Sequence, residues 1–188
     1  MIKAVFFDFM GVLLFPKQHY LPDETADAID RVIGRVTDDV EFKRTIQAAY
    51  RLDEAAFQGI LARIIDKYEP YAPVWDLLPA LRRRCKIAVI NNGTYLTFTG
   101  FDARLNISGR FDAFISSALE GLRKPDPAIY LRACRRFDVQ PQECLFMDDS
   151  ELNILGAQQV GLRTIHWKNR EEGLQGLVGI LNSEGIIR

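Results

Sequence analysis

Several things are scarce in this 188-residue chain, and each scarcity narrows what it can be. It has only three cysteines, Cys85, Cys134 and Cys144, an odd number without CxxC spacing. That excludes a disulfide framework and a cysteine zinc site, and leaves the thiols as core residues of a reducing compartment. Charge of one sign is never concentrated: 24 lysines and arginines face 25 aspartates and glutamates, with no long run of either. There is accordingly no electrostatic footprint for nucleic acid or an anionic membrane surface, and a small-molecule ligand is the expected partner. No apolar run reaches the roughly 20 residues that a membrane helix needs. The N-terminal apolar stretch has the length of a signal-peptide core, but Asp8 interrupts it and no small-residue cleavage site follows. A cytoplasmic location is the expectation.

What is present is hydrophobic material for one sizeable core, 48% of the residues. Five short apolar segments stand out: KAVFF before Asp8, KIAVI before Asn91, DAFIS before Ser117, CLFM before Asp148, and RTIHW after Gly161. Their continuous hydrophobicity, without alternation, predicts strands covered on both faces. Helical spacing recurs between them, over 74–84, 127–137 and 150–160, the last opening at Ser150 as a candidate cap and closing at Gly161. The final residues, from Glu171, read as a last helix and a short tail. Strand alternating with helix predicts an α/β fold, a doubly wound parallel sheet. Residues 17–71 break the rhythm with three or four amphipathic helical patterns and no convincing strand, closed by Pro70 and Pro73. They are expected to form a small all-helical domain inserted after the first strand, with 1–16 and 72–188 as the core domain.

Polar residues gather where the strands end. In an open parallel sheet, ligands bind beyond the carboxyl ends of the strands, where the strand order reverses. Asp8, Asn91 and the Asp148–Asp149 pair all fall at such exits. Any one of them alone is explained equally well as a turn former, and Asp149 with Ser150 as the start of a helix. Adjacent carboxylates repel one another, however, and a magnesium ion, which favours a few carboxylate oxygens with water and phosphate, answers the repulsion among Asp8, Asp148 and Asp149. Lys124 precedes Pro-Asp-Pro, so its ammonium is presented from a stiff turn that opens the next helix, suited to neutralising an anion.

Together these residues resemble the haloacid dehalogenase-like hydrolase superfamily over nearly the whole chain. The first motif of that family, D-x-D-G-T/V, is matched by Asp8-Phe9-Met10-Gly11-Val12, and the second by Asn91-Asn92-Gly93-Thr94. The third is the Lys124-Pro-Asp-Pro turn with Gly121 before it; the fourth is Asp148-Asp149 followed by Asn153, Ala157 and Gly161. The helical insert falls where the family's C1-type cap lies, closing over the sheet edge to exclude water. The resemblance implies a hydrolase with Asp8 as nucleophile, Lys124 neutralising charge and Asn91 holding the phosphoryl group. Asn92, Gly93 and Thr94 would line the substrate side. Magnesium would be held by Asp8, the main-chain oxygen of Met10 and Asp149, with Asp148 beside it, and the substrate would be a small phosphorylated metabolite.

Two residues depart from the pattern. Met10 stands where phosphatases of the family carry an acid and base, a function worth typically ~10² to 10⁴ in rate. Asn91 stands where they carry a hydroxyl, although its amide still donates a hydrogen bond. Branches without the second aspartate include dehalogenases, in which no proton is needed by the leaving halide, and phosphonatases, which use a cap lysine; Lys17, Lys43 and Lys67 are the insert's lysines. A degenerate member that binds phosphate or a protein partner without turnover is the rival from another class. A phosphoaccepting receiver domain is excluded, because its acidic pair follows the first strand, not the fourth. His19 is a candidate replacement acid, though a solvent-facing loop histidine is the simpler reading, and His166 reads as an edge or core histidine. Tyr20, Trp75 and Tyr95 are candidates for the cap interface or for plain core.

Overall fold

The computed structural model describes residues 1–187. Its seven strands are β1 (Ala4–Phe7), β2 (Leu14–Pro16), β3 (Tyr68–Pro70), β4 (Lys86–Asn91), β5 (Ala113–Ser116), β6 (Cys144–Asp148) and β7 (Arg163–His166). Five of them form one parallel sheet in the order β5-β4-β1-β6-β7. These are the five apolar segments of the sequence. All four residues of β1 and all five of β6 are buried, which is why the segments are apolar throughout instead of alternating. Val5 and Phe7 pack into one hydrophobic cluster and Ala4 and Phe6 into another, so successive side chains feed cores on the two faces of the sheet.

Helices cover both faces. In the insert lie α1 (Glu24–Ile33), α2 (Asp39–Tyr50) and α3 (Glu54–Lys67). Each opens on an aspartate, Asp23, Asp38 or Asp53, whose carboxylate accepts a first-turn backbone N–H. After β3 come α4 (Ala72–Trp75) and α5 (Leu78–Arg82), then α6 (Phe98–Leu105), α7 (Ile107–Arg110) and α8 (Ser117–Glu120). The last three are α9 (Pro127–Arg136), α10 (Glu151–Gln159) and α11 (Arg170–Ser183). Residues of α9 and α10 join the Phe6 cluster, while α5, α6 and α11 join the Phe7 cluster with the insert helices. No helix of the described residues is long and apolar enough to cross a membrane.

Three local expectations are corrected. The helix expected over 74–84 is two short ones, because Pro79 has no N–H and its ring interrupts the turn before it. Ser150 stands at the N-cap position of α10 but its side chain caps nothing. Third, the stretch expected to lack strands ends in β3, which pairs antiparallel with β2, Phe15 opposite Glu69. This two-stranded ribbon is where the insert joins the core, and the three insert helices lie between its strands.

Candidate active site

Because β1 is flanked by β4 on one side and β6 on the other, its exit opens into the crevice where the chain's winding reverses. Asp8 leaves β1 there, with its N–H donated to the Met147 carbonyl at 2.8 Å. The Lys124 ammonium lies between two carboxylates, donating to Asp8 Oδ1 at 2.5 Å and to Asp148 Oδ2 at 2.7 Å. The other oxygen of Asp148 accepts the Ser150 N–H at 2.8 Å and the Asn153 side-chain amide at 2.9 Å. Asp148 therefore does at the head of α10 what Ser150 was expected to do.

Lys124 and Asp148 are essentially without solvent exposure, so the balance of charge decides their state. Burial works to lower the Lys124 ammonium, but Asp8 and Asp148 outweigh it and hold the group above its ordinary value. Asp8 is pushed up to about 7, first by burial and then by Asp148 and Asp149, against the pull of Lys124. Burial, and after it the charge of Asp148, also raises Asp149. Three carboxylates share one ammonium, and the excess is negative.

That excess suits a divalent cation. Oxygens of Asp8, Asp148 and Asp149 lie within 4.8 Å of one another. Gly11, at φ +89°, lets the Asp149 carboxylate close against the backbone: a Cβ at position 11 would collide with it. The main-chain oxygen of Met10 accepts no hydrogen bond among the described residues. The donor set expected for magnesium is thus all oxygen and rich in carboxylate, the set a hard cation takes.

A cavity of about 250 Å³ opens beside these groups. Asp8, Met10, Asn91, Asn92 and Lys124 line it from the core, and Asp30, Arg31, Ile33 and Ile64 from the insert. The Asn91 side-chain amide makes no hydrogen bond among the described residues. Asn92 is engaged on both ends, donating to the Lys124 carbonyl at 2.8 Å and accepting its N–H at 2.8 Å, so it ties the Asn91 loop to the lysine turn. Gly93 and Thr94, expected on the substrate side, are not among the residues lining the cavity. The Gly93 N–H goes to Ser117 Oγ at 2.9 Å, and the Thr94 hydroxyl donates to Asp39 of the insert. Thr94 joins the insert to the core, because α2 begins directly over its loop.

The remaining candidates stand apart from the cavity. His19 is exposed, and His166 has Nε2 3.2 Å from the Asp149 carbonyl. Tyr20 donates to Asp27 at 3.0 Å, Trp75 donates to the Leu13 carbonyl at 2.8 Å, and Tyr95 stacks on Phe98. A larger hollow, about 450 Å³ between Leu78, Arg82 and Arg110, contains none of the strand-exit groups. Sequence reasoning missed Asp30, Arg31, Tyr68 and Thr97, all of which line the cavity beside Asp8. An N-cap hydroxyl at Thr97, before an apolar-periodic stretch, was the one signal available for any of them.

Fold and site define a class, parallel α/β proteins with an aspartate, a lysine and an acidic pair at the carboxyl edge of the sheet. Within that class, the chain belongs to the haloacid dehalogenase-like hydrolases, whose family model matches residues 2–161. It is 33% identical over 84 residues to the glyceraldehyde 3-phosphate phosphatase of Pyrococcus abyssi, covering 44% of this chain and 35% of that enzyme. It is also 33% identical over 107 residues to (S)-2-haloacid dehalogenase 1 of a Pseudomonas species, covering 55% of this chain and 47% of the relative. The match to mouse acyl-CoA dehydrogenase family member 10, 36% over 72 residues, covers 38% of this chain but only 7% of that protein. The chain thus spans well under two thirds of the length of these relatives. Among solved structures, a Bacteroides thetaiotaomicron HAD family enzyme in complex with magnesium and inorganic phosphate has the same fold, with TM-score 0.68, 19% identity and 88% and 93% of the two chains covered.

Proposed function

We propose that the protein is a magnesium-assisted hydrolase of small phosphate monoesters, with Asp8 as the nucleophile. The observation that carries this reading is the Lys124 ammonium held between Asp8 and Asp148, with Asp149 and the unpartnered Asn91 amide beside the same cavity. An Asp8 oxygen attacks phosphorus, the P–O ester bond breaks and its electron pair leaves with the alcohol oxygen, which takes a proton. Water then attacks the phosphoaspartate, restoring Asp8 and releasing phosphate. Lys124 offsets the negative charge that gathers in these steps, and the Asn91 amide donates to a phosphoryl oxygen. Asp8, the Met10 main-chain oxygen and Asp149 would hold a magnesium ion, which would supply positive charge to the phosphoryl oxygens. Residues 17–71 act as the cap that shuts water out and shapes the substrate side. Glyceraldehyde 3-phosphate phosphatase as a relative supports a small phosphorylated substrate.

Met10 supplies no proton, so turnover relies on esters whose alcohols leave readily or on a proton from water. It also keeps open a dehalogenase, whose leaving halide needs none. The test is release of phosphate from triose and hexose phosphates, and of halide from 2-chloropropionate, with and without magnesium. Magnesium-dependent phosphate release that Asp8→Asn abolishes is the expected result. Halide release indifferent to magnesium, or phosphate release unchanged in Asp8→Asn, contradicts the proposal.

A further inference from the structure

Besides Asn91, two further groups on the cavity lining have no partner among the described residues. Arg31, on α1, is exposed, contributes to the cavity lining and makes no ion pair or hydrogen bond among the described residues. Its neighbour Asp30 does not neutralise it, because Asp30 Oδ2 accepts the Lys67 ammonium and the Tyr68 hydroxyl, each at 2.7 Å. Thr97 is 7% exposed and also lines the cavity. It holds the N-cap position of α6, yet its hydroxyl caps nothing. A hydroxyl so placed ordinarily satisfies its own helix, and here it is left for something in the cavity.

We infer that the substrate is a short phosphate monoester bearing a carboxylate, and that Arg31 receives this second anion while the Thr97 hydroxyl donates to the same molecule. The inference rests on the phosphoryl reading of Asp8, Lys124 and Asn91, which accounts for the core end of the cavity and leaves Arg31 without a role. Size sets the class: pockets for drug-sized ligands run from roughly 300 to 1,000 Å³, and this one holds about 250 Å³, room for a few carbons beyond the phosphate. Charge sets the choice of anion. Asp8 and Asp30 offset Lys124 and Arg31 on the lining, so the cavity has no surplus of positive charge for a second phosphate, and a single carboxylate is the smaller demand. A guanidinium presents two parallel N–H groups that match a carboxylate in plane. Ile33, Ile64 and Phe101 line the same cavity and offer the substrate's carbons an apolar surface.

Calorimetry on the intact protein in magnesium tests this with inorganic phosphate and with three phosphonates whose P–C bond is not hydrolysed as an ester would be: propylphosphonate, 3-phosphonopropionate and propane-1,3-bisphosphonate. The carboxylate ligand should bind at least about tenfold more tightly than propylphosphonate. Arg31→Gln should erase that margin while leaving inorganic phosphate affinity unchanged, and Arg31→Lys should restore part of it. Thr97→Val should weaken both monophosphonates several-fold. Equal binding of the two monophosphonates, a margin that survives Arg31→Gln, or tighter binding of the bisphosphonate overturns the carboxylate assignment while the phosphoryl reading stands. Failure of inorganic phosphate to bind at all overturns the phosphoryl reading and this inference with it.

Discussion

Two clusters in this protein have the same composition, one lysine between two aspartates, and they behave in opposite ways. In the insert, Lys67 at the end of α3 bonds Asp27 at 2.8 Å and Asp30 at 2.7 Å on α1, and the hydroxyls of Tyr20 and Tyr68 complete the carboxylates' hydrogen bonds. At the sheet edge, Lys124 bonds Asp8 and Asp148 in the same manner, but a third carboxylate, Asp149, stands close by with no second cation. The hydrogen bond from Lys67 outweighs desolvation and holds Asp27 below the usual carboxylate range, whereas burial drives Asp8 above it. The insert cluster carries one negative charge in excess, but Lys67 and the two tyrosine hydroxyls satisfy its carboxylates, and it acts as a clamp between two helices. The sheet-edge cluster is more negative by one further carboxylate, Asp149, a condition suited to a cation.

Removing each lysine separates the clusters most strongly. Lys124→Met leaves buried carboxylates without their counter-charge and should cost about 3–5 kcal/mol of stability, read by urea denaturation in chelator. Next comes Met10→Asp, which returns a proton donor beside Asp8 and makes the sheet edge more acidic. It should raise hydrolysis of an alkyl phosphate by about 10²-fold, near 2.7 kcal/mol of barrier, measured as kcat/KM in magnesium. No gain in a folded variant, even with Asn91→Ser added, contradicts the reading of a phosphatase site lacking only its acid. Lys67→Met acts on a partly solvated cluster and should cost only about 1–2 kcal/mol, with magnesium affinity unchanged. The smallest effect is one of pH. Because the folded state holds Asp27 below its ordinary 3.8, its pairing stabilises the insert above that value and is lost as pH falls through the lower, folded pKa. Hydrogen-exchange protection in α1 and α3, taken relative to the intrinsic rate at each pH, should therefore fall below about pH 4 and change less there in Lys67→Met.

The sheet and most of its edge were legible in the sequence because they are local signals. Each strand is a run of buried residues, and Asp8, Asn91 and the Asp148–Asp149 pair follow such runs directly. Lys124 was legible from its proline-bound turn. The ribbon of β2 and β3 was not, since three-residue strands ending in Pro16 and Pro70 carry no periodicity. Arg31 and Thr97 were hidden for a different reason. They reach the cavity from helices far apart in the chain, and only the seating of α1 over the sheet edge brings them to one wall. The placing of α2 likewise turned Thr94 from an expected substrate contact into a donor to Asp39.

The sheet edge, with three carboxylates to one ammonium against two to one in the insert, carries the larger excess of negative charge, and a magnesium ion is expected to complete it. Calorimetric titration of magnesium into the protein and its Asp149→Asn variant tests it most directly. The account predicts one site in the unaltered protein and at least about tenfold weaker binding once Asp149 loses its charge. Equal affinity in the two proteins would contradict it.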